Sequence, residues 1–205
     1  MLLFGHNHEI YKKIFPSVFW NFSETKTKKI FLTFDDGPNS EVTTRVLDIL
    51  DKYNAKATFF CLGENVEKHP ELYEKIIKKN HSVGNHTYSH INGWFTKNKK
   101  YFNDIDQANF LIKSNLFRPP FGKTTPSQII VLKKQYKIVL WDVMSMDYNN
   151  HISKEKSLKN IFKYTKNGSI IVFHDTLKAQ EKLFYLLPLV LEKYSKSGFE
   201  FVSIK

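Results

Sequence analysis

Two rhythms of hydrophobic and polar residues alternate along this chain. Short apolar runs rich in Ile, Val and Phe are separated by longer segments in which apolar residues recur every three or four positions. The first rhythm is that of buried strands, the second that of helices with one apolar face. The runs Ile30-Phe31-Leu32, Ala57-Thr58-Phe59-Phe60-Cys61, His81-Ser82-Val83-Gly84-Asn85 and Leu116-Phe117-Arg118 predict four strands. Ile138-Val139-Leu140-Trp141, Ser169-Ile170-Ile171-Val172-Phe173 and Phe199-Glu200-Phe201-Val202-Ser203 predict three more. Between them, Val42, Val46, Ile49, Leu50 and Tyr53 mark one helical face, and Leu72, Ile76 and Ile77 a second behind Pro70-Glu71. Tyr101, Ile105, Ala108 and Ile112 mark a third, and Pro126 suits the first turn of a fourth that carries Ile129, Ile130 and Leu132. Leu158, Ile161 and Phe162 form the next face before Gly168 stops it, and Leu183, Leu186, Leu187, Val190 and Tyr194 form the last, with a bend at Pro188. Strands alternating with helices imply a parallel sheet, which seven strands can close into a barrel or leave open. The expected class is α/β, a distorted (β/α)7-type barrel with the active site at the C-terminal strand ends.

Composition narrows the picture. A chain of 205 residues fills one well-formed core. Residues 1–27 read as an irregular N-terminal segment, in which Phe15-Pro16-Ser17-Val18-Phe19-Trp20 packs on the body as a lid or plug, and residues 28–205 as one domain. No run approaches the ~18 apolar residues of a membrane span. Met1-Leu2-Leu3-Phe4-Gly5-His6 lacks the basic lead and apolar stretch of a secretory signal, and Cys61 is the only cysteine. Together these predict a cytoplasmic protein without a disulfide. The net charge of +11 favours anionic partners, yet the lysines are scattered and runs such as Lys97-Asn98-Lys99-Lys100 read as solvated faces. Nucleic acid is not expected as a partner; peripheral contact with an anionic surface is compatible with this charge.

Candidate chemistry changes the picture more than charge does. Asp35 and Asp36 follow the first strand, His86 and His90 the third, Arg118 the fourth, Asp142 and Asp147 the fifth, and His174 with Asp175 the sixth. In parallel α/β folds the C-terminal strand edge is where ligands bind, so five loops converge on one mouth. Two adjacent carboxylates in a partly dry site raise each other's pKa unless a cation lies beside them. Two imidazoles four apart can reach one cation, and with Asp36 they make a two-His, one-carboxylate set that leaves positions open for water and substrate. Asp-Gly and Gly-Pro after a strand also make ordinary turns, and single histidines are more often structural. His6, His8, His69, His81 and His151 read that way. Asp142 and Asp175 are either backbone ligands or supports behind the site, and Trp94, close after His90, is either a wall or a sugar-stacking ring.

Thr33-Phe34-Asp35-Asp36-Gly37-Pro38, His86-Thr87-Tyr88-Ser89-His90, Arg118-Pro119-Pro120-Phe121-Gly122, Trp141 through Asp147-Tyr148, and Val172-Phe173-His174-Asp175 resemble the five ordered motifs of the polysaccharide deacetylases, the NodB-homology domain of carbohydrate esterase family 4. The resemblance covers roughly residues 28–205. It implies a metal-dependent hydrolase that removes N-acetyl groups from amino sugars in a polysaccharide, oligosaccharide or glycan precursor. Asp36, His86 and His90 would hold the divalent ion, with zinc first and cobalt, manganese and nickel also suited. Asp35 would be the general base and His174 the general acid; Arg118 would orient the base, and Asp147 would keep the histidine protonated. The N–H of Phe121 would help stabilise the oxyanion, a contribution of about 3 kcal/mol for one such donor. Val172 would line the acetyl pocket. The sequence departs from the commonest pattern at Phe121, where tyrosine is frequent, and at Tyr148, where tryptophan is usual, which alters a groove wall. An amidase or deformylase on a non-sugar or lipid-linked substrate, and a non-catalytic glycan-binding protein, are the alternatives.

Overall fold

A computed structural model describes residues 15–205, so His6 and His8 lie outside the described residues. Its hub is strand β2 (Lys29–Asp35), whose Ile30, Leu32, Thr33 and Phe34 are fully buried. A strand so apolar is stable only when covered on both faces, as in a parallel sheet wrapped by helices. β2 pairs on one side with β3 (Ala57–Cys61) and on the other with β8 (Ile170–His174), and its start pairs with the short β9 (Glu200–Phe201). The other strands are β1 (Val18–Phe19), β4 (Ser82–Asn85), β5 (Leu116–Phe117), β6 (Lys137–Val139) and β7 (Val143–Met144). The order β1-β6-β5-β4-β3-β2-β8-β7 is parallel throughout and curls into a half-barrel, the distorted (β/α)7 architecture.

Seven helices cover this sheet among the described residues. They are α1 (Val42–Lys52), α2 (Gly63–Lys68), α3 (Pro70–Lys78), α4 (Asn98–Ile112), α5 (Pro126–Leu132), α6 (Lys154–Tyr164) and α7 (Gln180–Lys196). Helix α1 buries Val42, Val46, Leu47 and Leu50 at helical spacing, and α7 buries Leu183, Leu186, Leu187, Val190, Leu191 and Tyr194 while running through Pro188. Between them and the sheet, the ring of Phe34 stacks on Phe59 at 5.0 Å and on Phe173 at 5.9 Å. Helix α5 starts as its sequence predicts. Thr125 caps it, Pro126 occupies the first turn, and Gln128 completes a reciprocal capping box. Helix α2 and strand β7 escape a periodicity reading because six and two residues are too few to show a period.

The N-terminal aromatic segment is part of the barrel wall. Val18 and Phe19 pair with Ile138 and Val139, Asn21 bridges Ser169 antiparallel, and the Phe22 N–H donates to the Gly168 carbonyl at 2.8 Å. The segment therefore spans from β6 to the start of β8. Gly168 has a φ of +79°, and a Cβ there would collide with the Phe22 carbonyl. Asp142 ties the seam: it accepts from Ile170 N at 2.8 Å, Ser169 Oγ at 3.0 Å and Asn21 Nδ2 at 3.3 Å. Burial pushes its pKa up to about 6 against those hydrogen bonds. This is the backbone-binding role.

Candidate active site

Register alone brings the main acid and base candidates together. Asp35, the last residue of β2, is paired with His174, the last of β8, and with Phe60 on β3. Next along the sheet, Cys61 pairs with Asn85 and Asn85 with Phe117, so His86 and Arg118 leave their strands at the same edge. No helix packing has to be invoked to explain why these side chains meet. Parallel strands of matched length deliver them.

The Arg118 side chain, fully buried, is the structural centre of this edge. Its Nη1 donates to Asp35 Oδ1 at 2.6 Å and to Thr33 Oγ1 at 2.8 Å, its Nε to the Val139 carbonyl at 3.1 Å and its Nη2 to the Leu140 carbonyl at 2.9 Å. The guanidinium also lies 4.1 Å from the Phe60 ring centroid. A buried cation needs such a full set of acceptors, and a lysine could not fill this planar fan. Arg118 thereby fixes the Asp35 carboxylate and spans three strands. Its own carbonyl accepts from His86 Nδ1 at 2.7 Å. That bond orients the ring, so that Nε2 faces Asp36.

Asp36, His86 and His90 each present one donor atom, and the three atoms lie within 4.8 Å of one another. Asp36 Oδ1 is 3.4 Å from His86 Nε2 and 3.2 Å from His90 Nε2. It is buried and has no hydrogen-bond partner. A buried carboxylate oxygen left bare between two imidazole nitrogens suits a divalent cation, so this donor set fits the metal the sequence implies. Burial works to raise the Asp36 pKa, but His86 and His90 outweigh it and hold the carboxyl well below its usual range. Asn65, on α2, fixes the ligand's backbone by donating to the Asp36 carbonyl at 2.7 Å. Asp104, on α4, accepts from the N–H groups of Tyr88 and Ser89 at 2.7 and 3.1 Å and from Ser89 Oγ at 2.6 Å, pinning the loop between the two histidines.

On the other side of Asp35, His174 Nδ1 lies 2.8 Å from Asp147 Oδ1, and the His174 backbone N–H donates to Asp147 Oδ2 at 2.8 Å. Burial disfavours the imidazolium. The Asp147 carboxylate, with Asp36 and Asp35 behind it, more than compensates and lifts the His174 pKa to about 9. Tyr148 packs edge-on against this ring at 4.8 Å, and Phe121 packs against His90 at 4.6 Å. Val172 is fully buried on β8, in register with Thr33. Trp94 stands exposed on the loop after His90, and Trp141 forms a wall against Gly122 and Arg118.

Asp175 lies behind the turn that carries both acids. Its N–H donates to the Asp35 carbonyl at 3.2 Å, Thr43 Oγ1 donates to its Oδ2, and its carboxyl fills the space a Cβ on Gly37 would need. Full burial raises its pKa to about 7 in spite of the Thr43 bond. His81 is structural, since its Nδ1 accepts from Ala57 N at 3.1 Å and burial lowers its pKa to about 4. His151 is exposed, and its N–H donates to Asn149 Oδ1 at 2.9 Å. Five of the eight non-glycine residues with positive φ among those described, namely Asp36, Thr87, His90, Phe121 and Met146, sit in these strand-end loops. Strained backbone concentrates where side chains must be aimed. Asn65 and Asp104 were missed by sequence reasoning because each acts through a backbone group, which leaves no motif.

Residues 22–138 match the sequence pattern of the polysaccharide deacetylase family. The chain belongs to that family. Two Bacillus cereus proteins, both named peptidoglycan-N-acetylglucosamine deacetylase, are similar to it. One is 32% identical over 202 residues, 94% of each chain. The other is 36% identical over 155 residues, 72% of this chain and 56% of that protein, so the chain spans about half of that relative's length. A solved structure of the Bc1960 peptidoglycan N-acetylglucosamine deacetylase superposes with a TM-score of 0.85 at 31% identity, covering 91% of this chain and 90% of that one. Membership places the protein among the amide-cleaving hydrolases of amino sugars.

Proposed function

We propose that this protein is a divalent-metal-dependent N-deacetylase of N-acetylated amino sugars, acting on peptidoglycan or on a precursor of it. One observation carries the proposal: the bare Asp36–His86–His90 donor cluster lies at the same strand edge as an arginine-held carboxylate and a carboxylate-held imidazole. Binding a sugar needs none of these three. Amide hydrolysis by a metal-activated water uses all of them, as ligand set, base and acid. The relatives' names support the substrate class, and zinc is the leading ion for two imidazoles and one carboxylate.

A bound divalent ion would polarise the amide carbonyl and bring the pKa of a coordinated water toward ~7. Asp35, aimed by Arg118, accepts the proton from the attacking water. His174 supplies a proton to the departing nitrogen. Its Nδ1–H is engaged by Asp147, so the proton it gives is the one on Nε2. The left-handed backbone at Phe121 presents its N–H as the oxyanion donor, Val172 lies beneath the acetyl group, and Tyr148 flanks the sugar, with Trp94 further out on the loop after His90.

The test is acetate release from N-acetylglucosamine oligomers and from peptidoglycan fragments by protein purified without added metal and then analysed for its ion. Acetate from at least one, dependent on the ion, is expected. Formate or a ring-opened product from small amides, with no acetate from any amino sugar, would overturn the proposal. The cytoplasmic location expected from the sequence goes with a precursor, and cell fractionation separates that from action on the assembled wall.

A further inference from the structure

Beside the acid, base and metal-ligand candidates lies a surface they do not use. Trp94 is 58% and Phe95 82% exposed, on the loop that follows His90. Two adjacent exposed rings make a patch rather than a single scattered residue. The Lys123 ammonium lies 5.2 Å from the Trp94 ring centroid and 5.8 Å from that of Phe95, two residues after Phe121. Among the described residues no carboxylate pairs with it. Lys97, Lys99 and Lys100, all exposed, follow on the same loop and the first turn of α4.

This surface is built, not frayed. The Trp94 indole N–H donates to the Thr124 carbonyl at 3.2 Å, and the Trp94 backbone N–H to Asn92 Oδ1 at 3.0 Å. Gln128, fully buried, clamps the two loops, donating to the Gly93 carbonyl at 2.9 Å and to Asn98 Oδ1 at 3.0 Å while accepting from Thr125 N at 2.9 Å. A Cβ on Gly93 would press on the Lys123 carbonyl and on Gln128, so the loops approach as closely as a glycine allows. The Trp94 ring is thus held in place and exposed, with the Lys123 ammonium over it and over its neighbour Phe95. The open side of a fixed aromatic ring receives the apolar face of a pyranose, and a lysine beside it receives an anion.

Resting on the deacetylase reading, we propose that Trp94, Phe95 and Lys123 bind the sugar next to the one deacetylated, and that Lys123 selects a neighbour bearing a carboxylate. The occupant is an anionic glycan strand in which an acidic amino sugar alternates with N-acetylglucosamine. Its carboxylate is either the lactyl group of the sugar or that of a peptide joined to it.

Binding is measured by titration calorimetry with the Asp35→Asn protein, so that turnover does not intervene. The ligands are a tetrasaccharide of alternating N-acetylglucosamine and N-acetylmuramic acid, the same compound with its lactyl groups converted to carboxamides, and a peptide-bearing form. Adding Lys123→Gln should weaken the charged ligand roughly threefold to fivefold, the range of an exposed ion pair, and leave the carboxamide ligand unchanged. Trp94→Ala should weaken both. Loss with the peptide-free compound assigns the lactyl carboxylate; loss only with the peptide-bearing form assigns the peptide. No effect of Lys123→Gln on any of the three ligands would overturn the inference. Acetate release by the wild type without this charge dependence defeats the inference alone. Charge-dependent binding without acetate release defeats the activity and leaves the shelf standing.

Discussion

Replacing Asp147 by Asn removes one charge from beside His174 and keeps the volume. In the native protein the His174 pKa rises from the ordinary 6.5 to about 9, with Asp147 the strongest contributor against burial. That displacement corresponds to about 3 kcal/mol of preference for the imidazolium. The folded value lies above the unfolded one, so this stabilisation is fully present below about pH 6.5 and is lost as the pH rises through about 9. With Asn in place, burial is opposed only by the more distant Asp36 and Asp35, and the pKa should fall to the ordinary value or below. At pH 8 the acid would go from roughly nine-tenths protonated to a few per cent, a loss of roughly 30-fold in kcat/KM, while at pH 5.5 the loss should be several-fold at most. The assay is acetate release across pH 5 to 10, with thermal melts at each pH to show the variant folded. A basic limb that stays where the wild type has it, in a folded variant, would refute the reasoning, because Asp147 would then not be what holds the proton on His174.

Three further outcomes follow from the same geometry. Arg118→Met leaves the Asp35 carboxylate and three acceptors without their partner, so it should cost roughly 3–5 kcal/mol and lower the Tm by on the order of 10 °C by calorimetry. Asn65→Ala frees the Asp36 carbonyl and should weaken metal affinity by about tenfold in a competition titration, with a Tm within a few degrees of wild type. The Asp175 pKa is raised to about 7 by burial, so the wild type should lose stability as the pH rises from about 4 through about 7. Asp175→Asn should reduce the fall in denaturant midpoint between pH 4.5 and 8, leaving the part that Asp142, also raised by burial, contributes.

Much of this architecture is legible in the sequence because it follows from short-range rules. The apolar runs of β2, β3 and β8 and the helical faces of α1, α4 and α7 are long enough to show their periods, and parallel alternation then sends every strand end to one edge. That alone puts Asp35, His86, Arg118 and His174 at one edge. What stayed hidden depends on contacts between segments remote in the chain. Val18 and Phe19 look like part of a plug until β6 is there to pair with, since a two-residue strand has no pattern of its own. Asn65 and Asp104 are ordinary polar residues on helix surfaces until the loops they hold are folded against them. Asp142 has two readings in sequence, backbone ligand or support behind the site, and only the distant Ser169 and Ile170, which it binds to close the seam, decide for the first.

The central claim is a division of labour between two neighbouring carboxylates. Asp36 faces His86 and His90, and Asp35 faces Arg118. Elemental analysis of the purified wild type, Asp36→Ala and Asp35→Asn proteins tests it most directly, with acetate release measured on the same samples. Near one equivalent of metal in the wild type and in Asp35→Asn, little in Asp36→Ala, and activity in the wild type alone is the predicted result. Metal retained by Asp36→Ala, or lost from Asp35→Asn in a folded protein, would contradict the assignment.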